Sequence, residues 1–320
     1  MKMWERIWVV ATTGLVLSVG CATTPTISDD EEARAEEPQE EMLSAELPSL
    51  LVEPAWVEER LGHQELVLVH VGMDRQAWEE GHIPGQVYLN YEEIVVGDFD
   101  QGFLLPELEE VREAFERVGV DDDRQVVLTG DLDGLMATRA FFSLEALGRK
   151  SGVALLQGGL EQWREDRRPI STEAIEAEPG GLRTEGEAAM VLEAGEVLAL
   201  LEDQRYQLVD ARPAAEYEGE TAGAGVERAG HIPGAVNIFW KETLQQEDRA
   251  LLKPVEEIEG LYNQAGVSED AILVAYCRTG MQASFGYFLG RLQGRDVLIY
   301  DGSYVDWAAD PERPIVAPEE

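Results

Sequence analysis

Cysteine is scarce in this 320-residue chain: only Cys21 and Cys277 are present. Two cysteines cannot build a disulfide framework. The fold must instead rest on burial, and 44% hydrophobic residues supply two cores of common size or one large one. Histidine is nearly as rare, at four residues. Scattered as they are, with one free thiol, they give no zinc set. There is no Gly-rich nucleotide loop of the P-loop or dinucleotide type, and no cofactor is expected. Basic residues are outnumbered, 25 against 64 acidic ones, for a formal net charge of −39. Such a surface repels nucleic acid and anionic membranes, and it favours solubility. A long apolar run is missing as well. The segment "IWVVATTGLVLSVG", after Lys2 and Arg6, is too short and too interrupted by Gly and Thr for a membrane span.

That segment reads as an export signal. Its ending, "LSVGC", resembles a bacterial lipobox, in which Cys21 becomes the lipidated first residue of the mature protein. Ser18 stands where leucine is usual, and ordinary signal cleavage is the alternative. Ala22 in place of Asp is the enterobacterial pattern for the outer membrane. The expectation is a signal at 1–21 and a protein held in the cell envelope, on the periplasmic side, by a lipid alone. Residues 22–47 begin with a dense acidic run almost free of large apolar residues, and read as a disordered tether. Lipidation consumes Cys21, leaving Cys277 unpaired in an oxidising compartment. Such a thiol is either buried and inert or reactive by design.

The chain also repeats itself. "GHIPG" begins at Gly81 and again at Gly230, 149 residues apart. "GGLEQW" (158–163) is echoed by "GSYVDW" (302–307), 144 residues on, and each is followed by a proline-bearing tail. Two motifs in one order at nearly one offset indicate a duplicated domain. The domains are set at 48–170 and 187–316, with the polar, Gly- and Pro-bearing stretch 171–186 as linker. In the second copy "YQLVDA", "AILVAY" and "DVLIY" read as buried strands, matched by "ELVLVHV", "QVVLTG" and "GVALLQ" in the first. "VEEIEGLYNQAG" and "ASFGYFLGRLQG" read as helices ending in glycine. The alternation implies an α/β fold, each copy a parallel doubly wound sheet flanked by helices.

Cys277 ends a strand, and Gly280 permits a sharp turn into a helix near Met281. Ligands bind in the crevice beyond such strand ends, where amides and a helix N-terminus cradle anions. The same surroundings are expected to lower the thiol pKa, with Arg278 adding a cation. A nucleophile of this kind suits attack on an anionic sulfur donor and storage of the sulfur as a persulfide. The competing reading is a buried structural cysteine.

Taken together, "LVDARPAAEYEG", "GHIPGAVN", "YCRTGM" and "YDGSYVDW" in the second copy, with "WEEGHIPGQ", "ATRAFFSLEALG" and "GGLEQW" in the first, resemble the tandem-domain rhodaneses, the thiosulfate and mercaptopyruvate sulfurtransferases. The resemblance spans about 48–316. It implies that Cys277 carries sulfur, that Arg278, Thr279, Gly280, Met281 and Gln282 form the substrate-binding loop, and that Asp210 and Arg212 brace it. It implies a small anionic donor and a thiol or cyanide acceptor; a monomer is expected. A persulfide carrier or binding module without turnover is the alternative.

Both copies depart from the family pattern. The first has "VHVG" for "VDAR", no cysteine in "LTGDLDGLMATRA", and Asp131 and Asp133 where an anion would bind, so one active site is expected. In the second, Thr279 stands where thiosulfate-specific members carry a cation, and Glu216 where many carry an arginine. The loop also lacks the Cys-Gly-Ser-Gly of mercaptopyruvate enzymes. A cysteine phosphatase needs Cys, five residues, then Arg, but the sixth residue after Cys277 is Ala283. His82 and His231, in the repeated turn, read as structural, and Tyr217 and Trp240 as packing residues.

Overall fold

The computed structural model describes residues 44–98, 100–183, 190–246 and 249–317. The expected signal, the lipidation residue Cys21 and the tether up to residue 43 lie outside these. In the first half, chain order runs β1 (Leu51–Val52), α1 (Pro54–Glu58), β2 (Leu66–Gly72), α2 (Arg75–Glu79), β3 (Gln86–Asn90), the hairpin β4 (Val96–Asp98) and β5 (Gly102–Leu104), α3 (Leu108–Arg117), β6 (Gln125–Gly130), α4 (Leu135–Ala146), β7 (Val153–Leu156) and α5 (Gly159–Glu165). The second half runs β8 (Val191–Leu192), α6 (Ala194–Leu200), β9 (Tyr206–Asp210), α7 (Ala214–Tyr217), β10 (Val236–Asn237), α8 (Val255–Gln264), β11 (Ile272–Tyr276), α9 (Met281–Leu292), β12 (Val297–Tyr300) and α10 (Ser303–Ala309).

Among the described residues each half holds a five-stranded sheet with every pairing parallel, in the order β1-β7-β6-β2-β3 and β8-β12-β11-β9-β10. The two orders are the same, so the repeat seen in sequence is a repeat of topology. The central strands read as near-continuous apolar runs because helices cover both faces. Thus Val69, Val71, Val126 and Leu128 are fully buried, as are Val274 and Ile299.

Residues 44–47, included in the expected tether, instead pack on the first half. Ala45 is buried, Leu47 lies against the core, and Arg60 Nε donates to the Ser44 carbonyl at 2.7 Å. The linker is tied down too. Ser171 and His82 exchange backbone hydrogen bonds, and Leu182 is buried.

Both sheets lie in one compact unit, Leu43–Glu320. The halves meet through α4 and α9. Each carries apolar residues around most of its circumference, because one side packs on its own sheet and the other on the opposite helix. Phe141 meets Phe288 edge-on at 5.0 Å between ring centroids, and Phe142 meets Tyr287 at 5.3 Å. The Tyr287 hydroxyl donates to Glu145 Oε2 at 2.5 Å, and Arg291 pairs with the same carboxylate. One core runs through both helices and both sheets.

Candidate active site

Strand β11 delivers Cys277 to the carboxyl end of the second sheet. Gly280 then takes φ +91°, a left-handed conformation that favours glycine, and α9 starts at Met281. The turn aims backbone amides at the sulfur. The Gly280 N–H donates to Sγ at 3.2 Å, joined by those of Thr279, Gln282 and Ala283. The loop is pinned from α10: the Cys277 N–H donates to Ser303 Oγ at 3.1 Å, and the Cys277 carbonyl accepts from Tyr304 N–H at 2.9 Å.

The sulfur is almost wholly buried, at 1% exposure. Burial pushes the thiol pKa up, and the four amides pull it back only in part. This corrects the expected lowering of the thiol pKa: desolvation outweighs the helix and loop donors in the resting protein. The same amides become more effective once the sulfur carries charge, because a buried anion has no water to turn to.

Arg278 does not stand as a free cation. Its Nη1 lies 3.3 Å from Glu216 Oε1 on α7, so this carboxylate offsets the charge of the loop arginine. Burial pushes the Glu216 carboxyl above the usual carboxylate range, and Arg278 and Arg212 pull it back less. Thr279 is buried, and its carbonyl accepts from Phe103 N–H at 2.6 Å. Met281 is buried, and Gln282 leaves its buried Oε1 without a partner in the protein.

Asp210 and Arg212 are both fully buried and form a two-pronged pair, Arg212 Nε and Nη2 on the carboxylate at 3.0 and 2.6 Å. Arg212 also donates to the Gly230 carbonyl at 2.9 Å and sits 4.0 Å over the Tyr304 ring. The pair therefore ties the GHIPG turn to α10, and reaches the cysteine loop through Tyr304.

The sequence reading did not name the residues by which the first half reaches the site. Arg139, in the middle of α4, is fully buried and pairs with Asp301 beyond β12, at 2.6 and 3.2 Å. Asp301 also accepts the Leu105 N–H at 2.5 Å, just past β5. The hairpin thus lies over the cysteine loop, joined to it by Phe103. The available signal was an arginine inside an apolar helical run, since a buried arginine requires a partner. Tyr91 is also buried; burial pushes its hydroxyl pKa up, and the charges of Arg139, Asp301 and Cys277 act on it as well. Ala283, the fourth amide donor, lay one residue past the expected loop.

In the first half Gly130 takes the place of Cys277, by the register of β6 against β7 and of β11 against β12. A Cβ there would lie 2.4 Å from the Ala137 backbone nitrogen, so no side chain fits. Asp131 turns to His70 Nε2 at 3.2 Å, and His70 Nδ1 meets Thr129 Oγ1 at 2.8 Å. Asp133 pairs with Lys241 at 3.0 Å. Phe285 and Ala250 of the second half line the space beside this loop. His82 and His231 each hold a backbone carbonyl and stack on Trp78 and Tyr217, which supports their structural reading.

The profile of the Rhodanese-like domain matches residues 53–166 and 193–310. The chain is 33% identical over 285 residues to the sulfur carrier protein TtuD of Thermus thermophilus, covering 85% of this chain and 98% of that one. It is 33% identical over 283 residues to human 3-mercaptopyruvate sulfurtransferase, 83% and 94% covered. Against the Escherichia coli K12 3-mercaptopyruvate sulfurtransferase the identity is 28%, with 81% and 95% covered. Among solved structures, an anaerobic ergothioneine biosynthesis enzyme from Chlorobium limicola superposes with a TM-score of 0.74 at 24% identity, over 85% of this chain and 71% of that one, a likeness of fold.

Proposed function

Because the chain belongs to the rhodanese-like family and is a sulfurtransferase of its tandem-domain kind, we propose that its second half carries the sulfur on Cys277. The observation that carries this assignment is the convergence of four backbone amides on one buried sulfur. The donor is a small sulfur compound of the thiosulfate or 3-mercaptopyruvate type, as the names of the relatives suggest.

With thiosulfate, the Cys277 thiol gives its proton to solvent and the thiolate attacks the outer sulfur. The Sγ–S bond forms as the S–S bond of the donor breaks, and sulfite leaves with the electron pair. A thiolate or cyanide then attacks the outer sulfur, and the electron pair of the Sγ–S bond returns to Sγ. The amides stabilise sulfur charge at both stages, which is where donors fixed in advance act most strongly.

A second reading, a sulfur carrier with little turnover of small anions, is favoured by one observation. The only arginine of the loop is paired with Glu216. The test is thiocyanate formation from cyanide by the full chain, with each donor in turn. Turnover lost in Cys277→Ser supports the sulfurtransferase. A stable persulfide without turnover supports the carrier, and no persulfide with either donor overturns both.

The same proposal places the protein in the cell envelope by a lipid on Cys21, a monomer facing the periplasm. The lipobox-like "LSVGC" supports this. Radiolabelled palmitate should enter the wild-type chain but not Cys21→Ser; an unlabelled wild type argues for plain signal cleavage.

A further inference from the structure

The interface between the halves offers an internal control. The halves are related by repeat, so each helix of the α4–α9 pair reaches toward the other half's loop. By register from the shared helix starts at Gly134 and Gly280, Arg139 of α4 corresponds to Phe285 of α9. By the offset of the GHIPG turns, Tyr91 corresponds to Trp240. Gln157 corresponds to Asp301, and each side chain accepts an amide from the opposite half, Leu252 N–H at 3.0 Å and Leu105 N–H at 2.5 Å.

The two sides differ in chemistry. Beside the first half's loop stands Phe285, with Trp240 packed on it at 5.1 Å. Against the cysteine loop stand Arg139 and Tyr91. A buried ion pair such as Arg139–Asp301 adds little stability over an apolar pair of similar volume. Among the described residues the other side closes with no buried ion pair, its Asp133–Lys241 pair being partly exposed. Arg139 Nε and the Tyr91 hydroxyl are both buried with no hydrogen-bond partner in the protein; on the other side only Trp240 Nε1 of the matching pair is so placed, and it carries no charge.

We infer that Arg139 and Tyr91 of the first half complete the sulfur site, holding the negative outer sulfur of the Cys277 persulfide. The inference rests on the persulfide reading above. Arg139 acts in addition as a positioning residue, since Asp301 lies against Gly280: a Cβ there would meet the Asp301 carbonyl at 2.6 Å. Tyr91 keeps its proton for donation, because burial pushes its hydroxyl up to about 12. The other charged groups around the site are Arg278 with Glu216 and Arg212 with Asp210, each already paired.

The test uses the full chain. Tyr91→Phe removes one hydroxyl and keeps the ring; Arg139→Gln removes the charge. Alkylation of Cys277, read at the peptide level across pH, and the lifetime of the persulfide after thiosulfate or mercaptopyruvate, read by intact mass, are the measurements. Tyr91→Phe is expected to shorten the persulfide lifetime about tenfold at an unchanged melting temperature, the equivalent of one pKa unit. Arg139→Gln is expected to do the same and to shift the alkylation profile to higher pH. Wild-type lifetime and profile in a folded Tyr91→Phe chain that loads sulfur would overturn the inference. A wild-type chain that never loads sulfur would overturn the persulfide reading itself.

Discussion

Set side by side, the ends of β6 and β11 are one position built twice. At β11 the strand delivers a thiol into four amides; at β6 it delivers Gly130, with the Ala137 amide pressed where a Cβ would be. At β9 Asp210 chelates Arg212, while at β2 His70 turns to Asp131 and Gly72 leaves nothing to chelate. Sheet order, the GHIPG turn and the final tryptophan persist in both halves, with Trp163 and Trp307 donating to Pro169 and Pro314 at 2.7 and 2.8 Å. One sheet order can thus carry two different sets of strand ends, because strand-end loops carry function and the sheet carries packing.

The largest expected effect breaks the contact between the halves. Phe141→Ala removes a fully buried ring from the α4–α9 seam and should lower unfolding free energy by about 3–5 kcal/mol. Urea denaturation of the full chain measures it, and a loss under about 1 kcal/mol would mean the seam is not a shared core.

Next, Gly130→Cys tests whether the silent half lacks only its nucleophile. The 2.4 Å approach to Ala137 forces the loop to move, so the variant should lose roughly 1–3 kcal/mol and gain no second persulfide. Two sulfur atoms per chain would show that the two loops are interchangeable.

Glu216→Gln sharpens the comparison with relatives that use small anions. Freeing Arg278 should lower KM for thiosulfate about fivefold, roughly 1 kcal/mol, with kcat little changed. Glu216 binds its proton more tightly than an ordinary carboxyl. Wild-type thiosulfate binding should therefore improve as pH falls through that raised value, and this trend should vanish in the glutamine variant. An unchanged KM in both would make the pairing irrelevant to donor choice.

The smallest effect belongs to Asp131→Asn. Burial raises that carboxyl, but His70, the Met73 amide and Arg164 outweigh it, and the net shift is downward. Its stabilisation is thus present at neutral pH and lost as pH falls through the lowered value. The variant should lose less than about 1 kcal/mol at pH 7 and nothing in acid. A melting difference that persists in acid would point to a steric cause.

Much of this was legible in the residues. Strand runs such as "QVVLTG" and "AILVAY" fall on β6 and β11 to within a residue, since doubly buried strands leave continuous apolar text. Cys277 stood out because "RTG" and a helix follow it. The state of the thiol did not, for its pKa depends on burial summed over both halves. The partner of Arg278 is 62 residues away and the partner of Arg139 is 162. Such pairings are set by the sheet order and the α4–α9 seam, which no local pattern encodes. Ser44–Leu47 were assigned to the tether on composition, although Ala45 is small enough to bury without an apolar signature.

The claim that one half holds the sulfur chemistry of both is tested most directly by intact mass. The full chain is incubated with thiosulfate or mercaptopyruvate and weighed beside Cys277→Ser. The account predicts one added sulfur atom in the wild-type chain, removed by cyanide or a thiol, and none in the variant. Sulfur that loads with Cys277 absent would contradict it.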